Sequence, residues 1–151
     1  MMYDYGTASE RPYQCFMGRW EGLCKTFDPQ GRFLESSAVH MNVYWIGPNT
    51  WHLHEHFENL YGVGETIYET DITVEGLTCY AESPQVKIIG ARLTAYNYIF
   101  TIESAVTNTT VYNNHYFLDR NTRRIMTHKV RDGQTVVFQI QDFVRVDGIQ
   151  E

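Results

Sequence analysis

The feature that most constrains the fold of this chain is the close, regular spacing of its turn signals. Clusters of Gly, Pro, Asn and Asp recur along it, such as Asp28-Pro29-Gln30-Gly31, Gly47-Pro48-Asn49 and Asp132-Gly133. The segments between them are rich in Val, Ile, Thr, Tyr and Phe, residues that suit a pleated, half-buried surface. This pattern predicts strands over residues 17–27, 36–46, 50–58, 65–74, 77–82, 85–90, 92–103, 109–118, 123–131 and 135–146.

The predicted strands follow one another without an intervening helix. Consecutive antiparallel strands either stack as two sheets or close on themselves, and closure removes the exposed edges that promote aggregation. We therefore expect an all-β fold in which residues 1–151 form one domain, a single antiparallel up-and-down barrel of about 8–10 strands. Near the start, Ser9 is placed to cap a short helical turn over residues 10–16, with Pro12 in its first turn.

The last two predicted strands carry the clearest local signals. Asp132-Gly133 joins them, and this pair is favoured where both central residues of a hairpin turn need positive φ. On the last strand, side chains alternate with period two, so we expect this strand to have one wet side. The apolar set is Val136, Phe138, Ile140 and Val144, and the polar set is Thr135, Gln139, Gln141 and Arg145.

Composition and charge argue against several classes of partner and site. The net charge is −6, and the 12 Lys and Arg residues are scattered, so we expect no binding to nucleic acid. No apolar run approaches the ~20 residues that a membrane-spanning helix needs. The first residues lack the basic and apolar regions of a secretory signal, and the three cysteines lack a C-x-x-C spacing. We therefore expect a cytoplasmic protein with reduced thiols, and the sequence leaves a homo-oligomer open.

A glycine–tryptophan motif lies at the start of the first predicted strand. Gly18-Arg19-Trp20 resembles the Gly-x-Trp motif of lipocalins and other calycins. In that family the tryptophan closes the barrel bottom, and an arginine near the last strand commonly packs across it. The resemblance implies that Trp20 closes one end of this barrel with Arg145 as its partner. Such a guanidinium stacked on an indole adds about 0.5–2 kcal/mol of cation–π attraction.

Within the calycins, the chain looks most similar to the intracellular bacterial members. These include bilin chromophore lyases, haem-binding nitrobindins and small cyclases of natural-product pathways. The haem-ligand motif of nitrobindins cannot be placed on this sequence, so the resemblance does not imply haem. It implies a barrel that holds a bulky apolar or conjugated small molecule.

The most unusual local feature is a predicted strand with three histidines at alternate positions. One face of Trp51–Glu58 carries His52, His54, His56 and Glu58, and the other carries Trp51, Leu53, Glu55 and Phe57. Alternate residues of a strand are about 6–7 Å apart, so neighbouring imidazoles can converge on one ion or one ligand. Three interpretations of this strand are compatible with the sequence.

The first interpretation is a metal site formed by His52, His54, His56 and Glu58. Imidazole suits zinc, iron, copper or nickel, and a carboxylate completes an adequate ligand set. His52, His54 and Glu58 also resemble the His-x-His-x3-Glu motif of cupins, although the second cupin motif is not found. This interpretation implies a mononuclear metalloenzyme with a transition-metal cofactor.

The second interpretation is a polar wall of the ligand cavity, with no cofactor. Neutral imidazoles would act there as hydrogen-bond partners, or as general acid and base near neutral pH. The predicted catalytic residues are His54, His56, Tyr44 and His115. The predicted ligand-binding residues are His40, Asn42, His52, Tyr96, Tyr98, Asn113 and Phe138.

The third interpretation is a solvated outer surface. Trp51, Leu53 and Phe57 would then point into the core, because an antiparallel strand with one wet face directs its apolar side chains inward. Glu55 would lie near a strand end or in a wet part of the lumen.

Together these features predict a barrel that binds a bulky apolar or conjugated small molecule and carries it or transforms it without a cofactor. If the barrel is an enzyme, we expect a cyclase, isomerase or lyase reaction, with a His or Tyr moving the proton. A cupin-like metalloenzyme is one alternative. A structural or interaction domain with a filled core is the other.

Overall fold

The computed structural model describes residues 11–60 and 64–147. Within these ranges a 3-10 turn, Gln14–Phe16, precedes ten strands. The strands are β1 (Gly18–Phe27), β2 (Phe33–Trp45), β3 (Thr50–Asn59), β4 (Glu65–Glu75), β5 (Thr78–Glu82), β6 (Val86–Thr94), β7 (Asn97–Ser104), β8 (Thr109–Asp119), β9 (Thr122–Arg131) and β10 (Gln134–Asp147). This order confirms the all-β prediction. Ser9 and Glu10, where the helical turn was predicted to begin, lie outside the described residues.

The strand boundaries follow the predicted ones closely, with one difference between β6 and β7. The sequence predicts one strand over residues 92–103, whereas residues 92–94 extend β6 and β7 begins at Asn97. The backbone N–H of Tyr96 donates to the Thr94 hydroxyl at 3.1 Å, which stabilises a turn between the two strands. A Thr side chain that bonds the backbone two residues ahead is a turn signal, and the alternating pattern concealed it.

The strands close into one ring. Each strand pairs antiparallel with its neighbours in sequence, and β1 pairs with β10 to complete the barrel. The structure therefore confirms the predicted up-and-down barrel. No helix in the described ranges is both long enough and apolar enough to cross a membrane.

The wall of the barrel is least continuous between β4 and β5. These strands pair only through Thr73–Tyr80, Val74–Cys79 and Glu75–Thr78. Residues 65–72 of β4 pair with β3 on one side, and no described residue pairs with their other edge. We call this opening in the wall the lateral gap.

One end of the barrel is closed by packed aromatic side chains, which we call the floor. Tyr13 and Phe16 precede β1, and their ring centroids lie between 4.7 and 6.0 Å from those of Trp51 and Tyr98. The indole N–H of Trp20 donates to the carbonyl oxygen of Phe16 at 3.0 Å. The floor consists of Tyr13, Phe16, Trp20, Trp51, Tyr98 and Phe117.

Two guanidinium groups lie over the ring of Trp20. The Cζ atom of Arg145 is 4.2 Å from the ring centroid, which confirms the predicted partner, and that of Arg123 is 4.4 Å away. Arg145 also donates to the carbonyl oxygens of Cys15 and Met17, and so joins the last strand to the turn before β1. Arg123 is fully buried and was not anticipated from the sequence.

The β9–β10 hairpin forms as predicted, but β10 presents its faces in an unexpected direction. Asp132 and Gly133 have φ values of 52° and 75°, as the hairpin turn requires. Pairing with β1 aligns Gln141 with Cys24 inside the barrel, so the polar set of β10 points inward. Phe138, predicted to bind a ligand, therefore lies on the outer surface and is 40% exposed.

Arg145→Ala is expected to lower the free energy of unfolding by about 2–4 kcal/mol, because it removes the stacking on Trp20 and leaves carbonyl groups without their donor. Urea denaturation measures this loss. Arg124→Ala is the matched control, since Arg124 forms an exposed ion pair with Asp142 on neighbouring strands. Such a pair contributes about 0–1 kcal/mol. Equal losses for the two variants would contradict a special role for Arg145.

Candidate functional site

Pairing with β2 determines which face of β3 points inward. Glu55 is the register partner of Met41, and Phe57 is the partner of Val39. Met41 and Val39 are buried core residues, so the odd-numbered residues of β3 face the lumen. The inward residues are Trp51, Leu53, Glu55 and Phe57. This is the arrangement described by the third interpretation of the strand.

The histidines of β3 lie outside the barrel, and each contacts a carboxylate of β4. The ring-nitrogen to carboxylate distances are 2.6 Å for His52–Asp71, 2.6 Å for His54–Glu69 and 2.8 Å for His56–Glu65. The proposed metal ligands His52, His54, His56 and Glu58 therefore do not converge on one point. Among the described residues, a different set, His56, Glu58 and Glu65, has its potential ligand atoms within 4.8 Å of one another.

The barrel wall divides the predicted site residues into two groups. His40, Asn42, Tyr44, His52, His54, His56 and Phe138 are on the outer surface. Tyr98, Asn113 and His115 point inward from β7 and β8, and Tyr96 lies in the turn before β7. A cavity wall combining both groups does not form, because the period-two alternation puts the histidines of β3 on the side opposite to the lumen.

Above the floor, some inward-pointing side chains keep part of their solvent exposure. Leu53, Glu55 and Phe57 point inward and yet are only partly buried. Tyr68, the register partner of Glu55 beside the lateral gap, is 53% exposed, and its ring lies 5.8 Å from that of Phe57. We call this space the upper lumen. Its lining includes Leu53, Glu55, Phe57, Tyr68, Ile102, Val111 and Asn113.

Glu55 is an acidic group that points into the upper lumen. Desolvation raises the pKa of its carboxyl from the ordinary 4.5 to about 7, because the charged form loses water contacts. The charges of Arg123 and His54 oppose this rise but do not cancel it. Near neutral pH the carboxyl therefore exists in both protonation states, and it can donate or accept a hydrogen bond.

Further polar groups are buried towards the floor. Burial lowers the pKa of His115 well below its usual range, so its imidazole is neutral, and lowers the pKa of Arg123 to about 9. Among the described residues, His115 Nδ1, Arg123 Nε and Nη1, and Gln141 Oε1 have no hydrogen-bond partner. Buried polar atoms normally have a hydrogen-bond partner. These atoms are therefore available as donors and acceptors at the base of the lumen.

Sequence reasoning did not select three of these interior residues as site residues. Glu55 gave a signal, because it is a carboxylate between Leu53 and Phe57 on the apolar face of its strand. Arg123 gave none, since its neighbourhood also contains Arg120 and Arg124, which is typical of a solvated turn. Tyr68 is inward by alternation, but its exposure depends on the lateral gap, which the sequence does not reveal.

The three cysteines are buried and form no disulfide with one another. Desolvation raises the pKa of Cys24 and of Cys79 to about 11 in each case. Because the thiolate is the nucleophilic form, these thiols are poorly suited to attack a ligand. They pack as small apolar side chains.

No family model matches the sequence, and no curated protein matches it. Solved structures do resemble the fold. A protein of unknown function from the DUF3598 family of Nostoc punctiforme matches with a TM-score of 0.73 and 15% identity, over 91% of this chain and 51% of that chain. This chain therefore spans about half of that protein.

An S-type phycobiliprotein lyase from Guillardia theta matches with a TM-score of 0.69 and 8% identity, over 90% of this chain and 91% of the lyase. A fluorescence-activating barrel bound to DFHBI matches with a TM-score of 0.50 and 11% identity, over 89% of this chain and 96% of that chain. At these identities the likeness concerns the fold. Together with the closed ring of ten strands, it confirms the calycin-like fold.

The free energy of unfolding is expected to fall by about 2 kcal/mol between pH 5 and pH 8 through Glu55 alone. The pKa of Glu55 is raised on folding, so in this window the folded chain holds a proton that the unfolded chain releases. Glu55→Gln should remove this component from urea denaturation curves measured at the two pH values. Glu103→Gln, on the outer face opposite Lys87, is the control and should keep it. Parallel pH profiles for the parent and Glu55→Gln would contradict the assignment.

Proposed function

We propose that this calycin-like barrel binds a small conjugated molecule in its upper lumen, with Glu55 as the polar anchor. One observation carries the proposal: aromatic and apolar side chains that point into the barrel, above all Phe57 and Tyr68, remain solvent-accessible around a desolvated carboxyl group. Pockets for small molecules combine apolar walls with a few converging polar groups in this way.

The walls of the upper lumen favour a flat ligand. The rings of Phe57 and Tyr68 meet at an interplanar angle of 87°, so they present a face and an edge to the same space. Aromatic surfaces prefer offset or edge-to-face contacts with other π systems. Covering apolar surface also contributes about 25 cal/mol per Å² that is removed from water. A planar, conjugated ligand gains from both effects.

The polar groups of the upper lumen determine which functional groups a ligand must carry. Glu55 accepts from an N–H or O–H group when ionised and donates to a carbonyl oxygen when protonated. Asn113 lies deeper on the opposite wall, where its Oδ1 accepts from the Thr127 hydroxyl at 2.5 Å, so its amide N–H₂ is oriented as a donor. A ligand with both N–H and C=O groups on one conjugated frame satisfies both sites.

The structural comparisons support the same chemical class. The name of the lyase identifies phycobiliproteins as its targets, and the fluorescence-activating barrel holds the conjugated compound DFHBI. A bilin, which combines pyrrole N–H groups with terminal carbonyl groups, is therefore the first ligand that we propose for this chain.

The second candidate function is proton transfer to the bound molecule, in a cyclase, isomerase or lyase reaction without a cofactor. The observation that favours it is the pKa of Glu55, which lies at about 7 and so matches a general acid–base group working near neutral pH. Tyr68, its register partner on the neighbouring strand, offers a phenolic hydroxyl for this role. His115 is neutral and buried, and it is a further interior acid–base group.

Titration of the purified chain with a bilin, followed by absorbance, tests the binding proposal, and DFHBI fluorescence provides a second probe. Tyr68→Ala is expected to weaken binding by about tenfold or more, because it removes an aromatic wall. Glu55→Gln should weaken binding and also abolish its dependence on pH around neutrality.

Two surface variants are the controls for this experiment. Tyr112→Ala removes a partly exposed tyrosine that points outward and stacks on His128 at 4.9 Å. His52→Ala removes an outward imidazole of the same strand as Glu55. Both should bind the probes like the parent chain. The proposal fails if neither probe binds the parent, or if Tyr112→Ala weakens binding as much as Tyr68→Ala does.

A further inference from the structure

We infer that the outer surface of the β3–β4 hairpin holds a divalent transition-metal ion through His56, Glu58 and Glu65. These side chains are separated from the upper lumen by the barrel wall, so the site is independent of the proposed ligand. Within the described residues they form the group whose potential ligand atoms converge, all within 4.8 Å of one another.

The distances between the ligand atoms suit one small ion. His56 Nε2 lies 2.8 Å from a carboxylate oxygen of Glu65 and 3.7 Å from one of Glu58. A tetrahedral zinc ion with bonds of about 2.0–2.2 Å places its ligand atoms about 3.4 Å apart. The two observed distances lie on either side of that value. The Glu58 and Glu65 side chains are 52% and 64% exposed, so each can adjust by the small amount required.

A separate observation also points to a cation at this position. Glu58 and Glu65 are direct register partners on neighbouring strands, so two carboxylates lie opposite each other on the same face. Like charges directly opposite on a sheet are destabilising. Among the described residues, the ion-pair partner of both carboxylates is His56, and neither pairs with a Lys or Arg side chain. A metal ion between them would turn this repulsion into attraction.

The donor set selects the class of ion. One imidazole nitrogen with two carboxylate oxygens suits zinc and its neighbours, whereas magnesium and calcium prefer oxygen ligands alone. His40 is the next imidazole on this surface, and its ring centroid is 6.2 Å from that of His56. Water can occupy the fourth position, because His40 lies outside the converging group.

Calorimetric titration of the full chain, free of any histidine tag and dialysed against EDTA, with zinc chloride tests the site. We expect one zinc ion per chain and no comparable response to magnesium. Loss of even an outer partner of a metal ligand costs about 10–100-fold in affinity, so His56→Ala should weaken zinc binding by at least that factor.

His54→Ala is the matched control. His54 lies on the same face of the same strand and contacts one carboxylate, Glu69, at 2.6 Å, but it belongs to no converging group in the described part of the chain. Its removal should leave the zinc affinity unchanged. An equal loss for His54→Ala and His56→Ala would overturn the site in favour of diffuse binding to exposed histidines.

The melting temperature of Glu58→Gln separates a folding defect from a loss of metal binding. In EDTA this variant should melt at the same temperature as the parent or higher, because one of two opposed charges is removed. With zinc, the parent should gain thermal stability and Glu58→Gln should gain little. Absence of a zinc-dependent gain in the parent, or the same gain in both chains, would overturn the proposal.

Discussion

The structure depends on the contact between Trp20 and the two guanidinium groups that lie over its ring. Arg145 comes from the last strand and Arg123 from β9, whereas Trp20 is on the first strand, so the contact joins both ends of the barrel sequence. The carbonyl groups that accept from Arg145 belong to the turn before β1, which holds the aromatic side chains of the floor in place. Because one end is closed in this way, the accessible interior lies above it.

The alternation of β3 gives one strand two separate chemistries. Its odd-numbered side chains supply a carboxyl group and aromatic or apolar wall to the lumen, and its even-numbered side chains supply imidazoles to the outer surface. On the inner side, poor solvation dominates and raises the pKa of Glu55. On the outer side, side chains are hydrated and their mutual geometry decides what they bind. The two sides are joined electrostatically only through His54, whose charge lowers the pKa of Glu55 across the strand.

Much of this fold could be predicted because the responsible signals are local. Turn residues and period-two alternation place the strands. Asp132-Gly133 favours a hairpin whatever the surrounding tertiary structure. The contact of Trp20 with Arg145 was predicted from a family resemblance. The inward face of β3 could not be chosen from its own sequence, since both faces contain side chains able to line a cavity, and only pairing with Met41 and Val39 decides it.

Other features depend on distant partners and gave no sequence signal. On β10, apolar residues such as Phe138 point outward because pairing with Cys24 and Trp20 on β1 fixes the register. Arg123 is buried because four aromatic rings surround its guanidinium group, and those rings come from different parts of the chain. The short pairing between β4 and β5 also has no local cause, so the lateral gap could not be predicted from the sequence.

The lateral gap bears on how a bound molecule would leave. In a barrel with a continuous wall, a bound molecule can leave only through an open end. Here Tyr68 lies beside an interruption of the wall, so a flat occupant of the upper lumen would keep one edge uncovered. A recipient protein could engage that edge before the barrel releases it. Direct handover, with both proteins touching the cargo at once, is then geometrically open to this barrel.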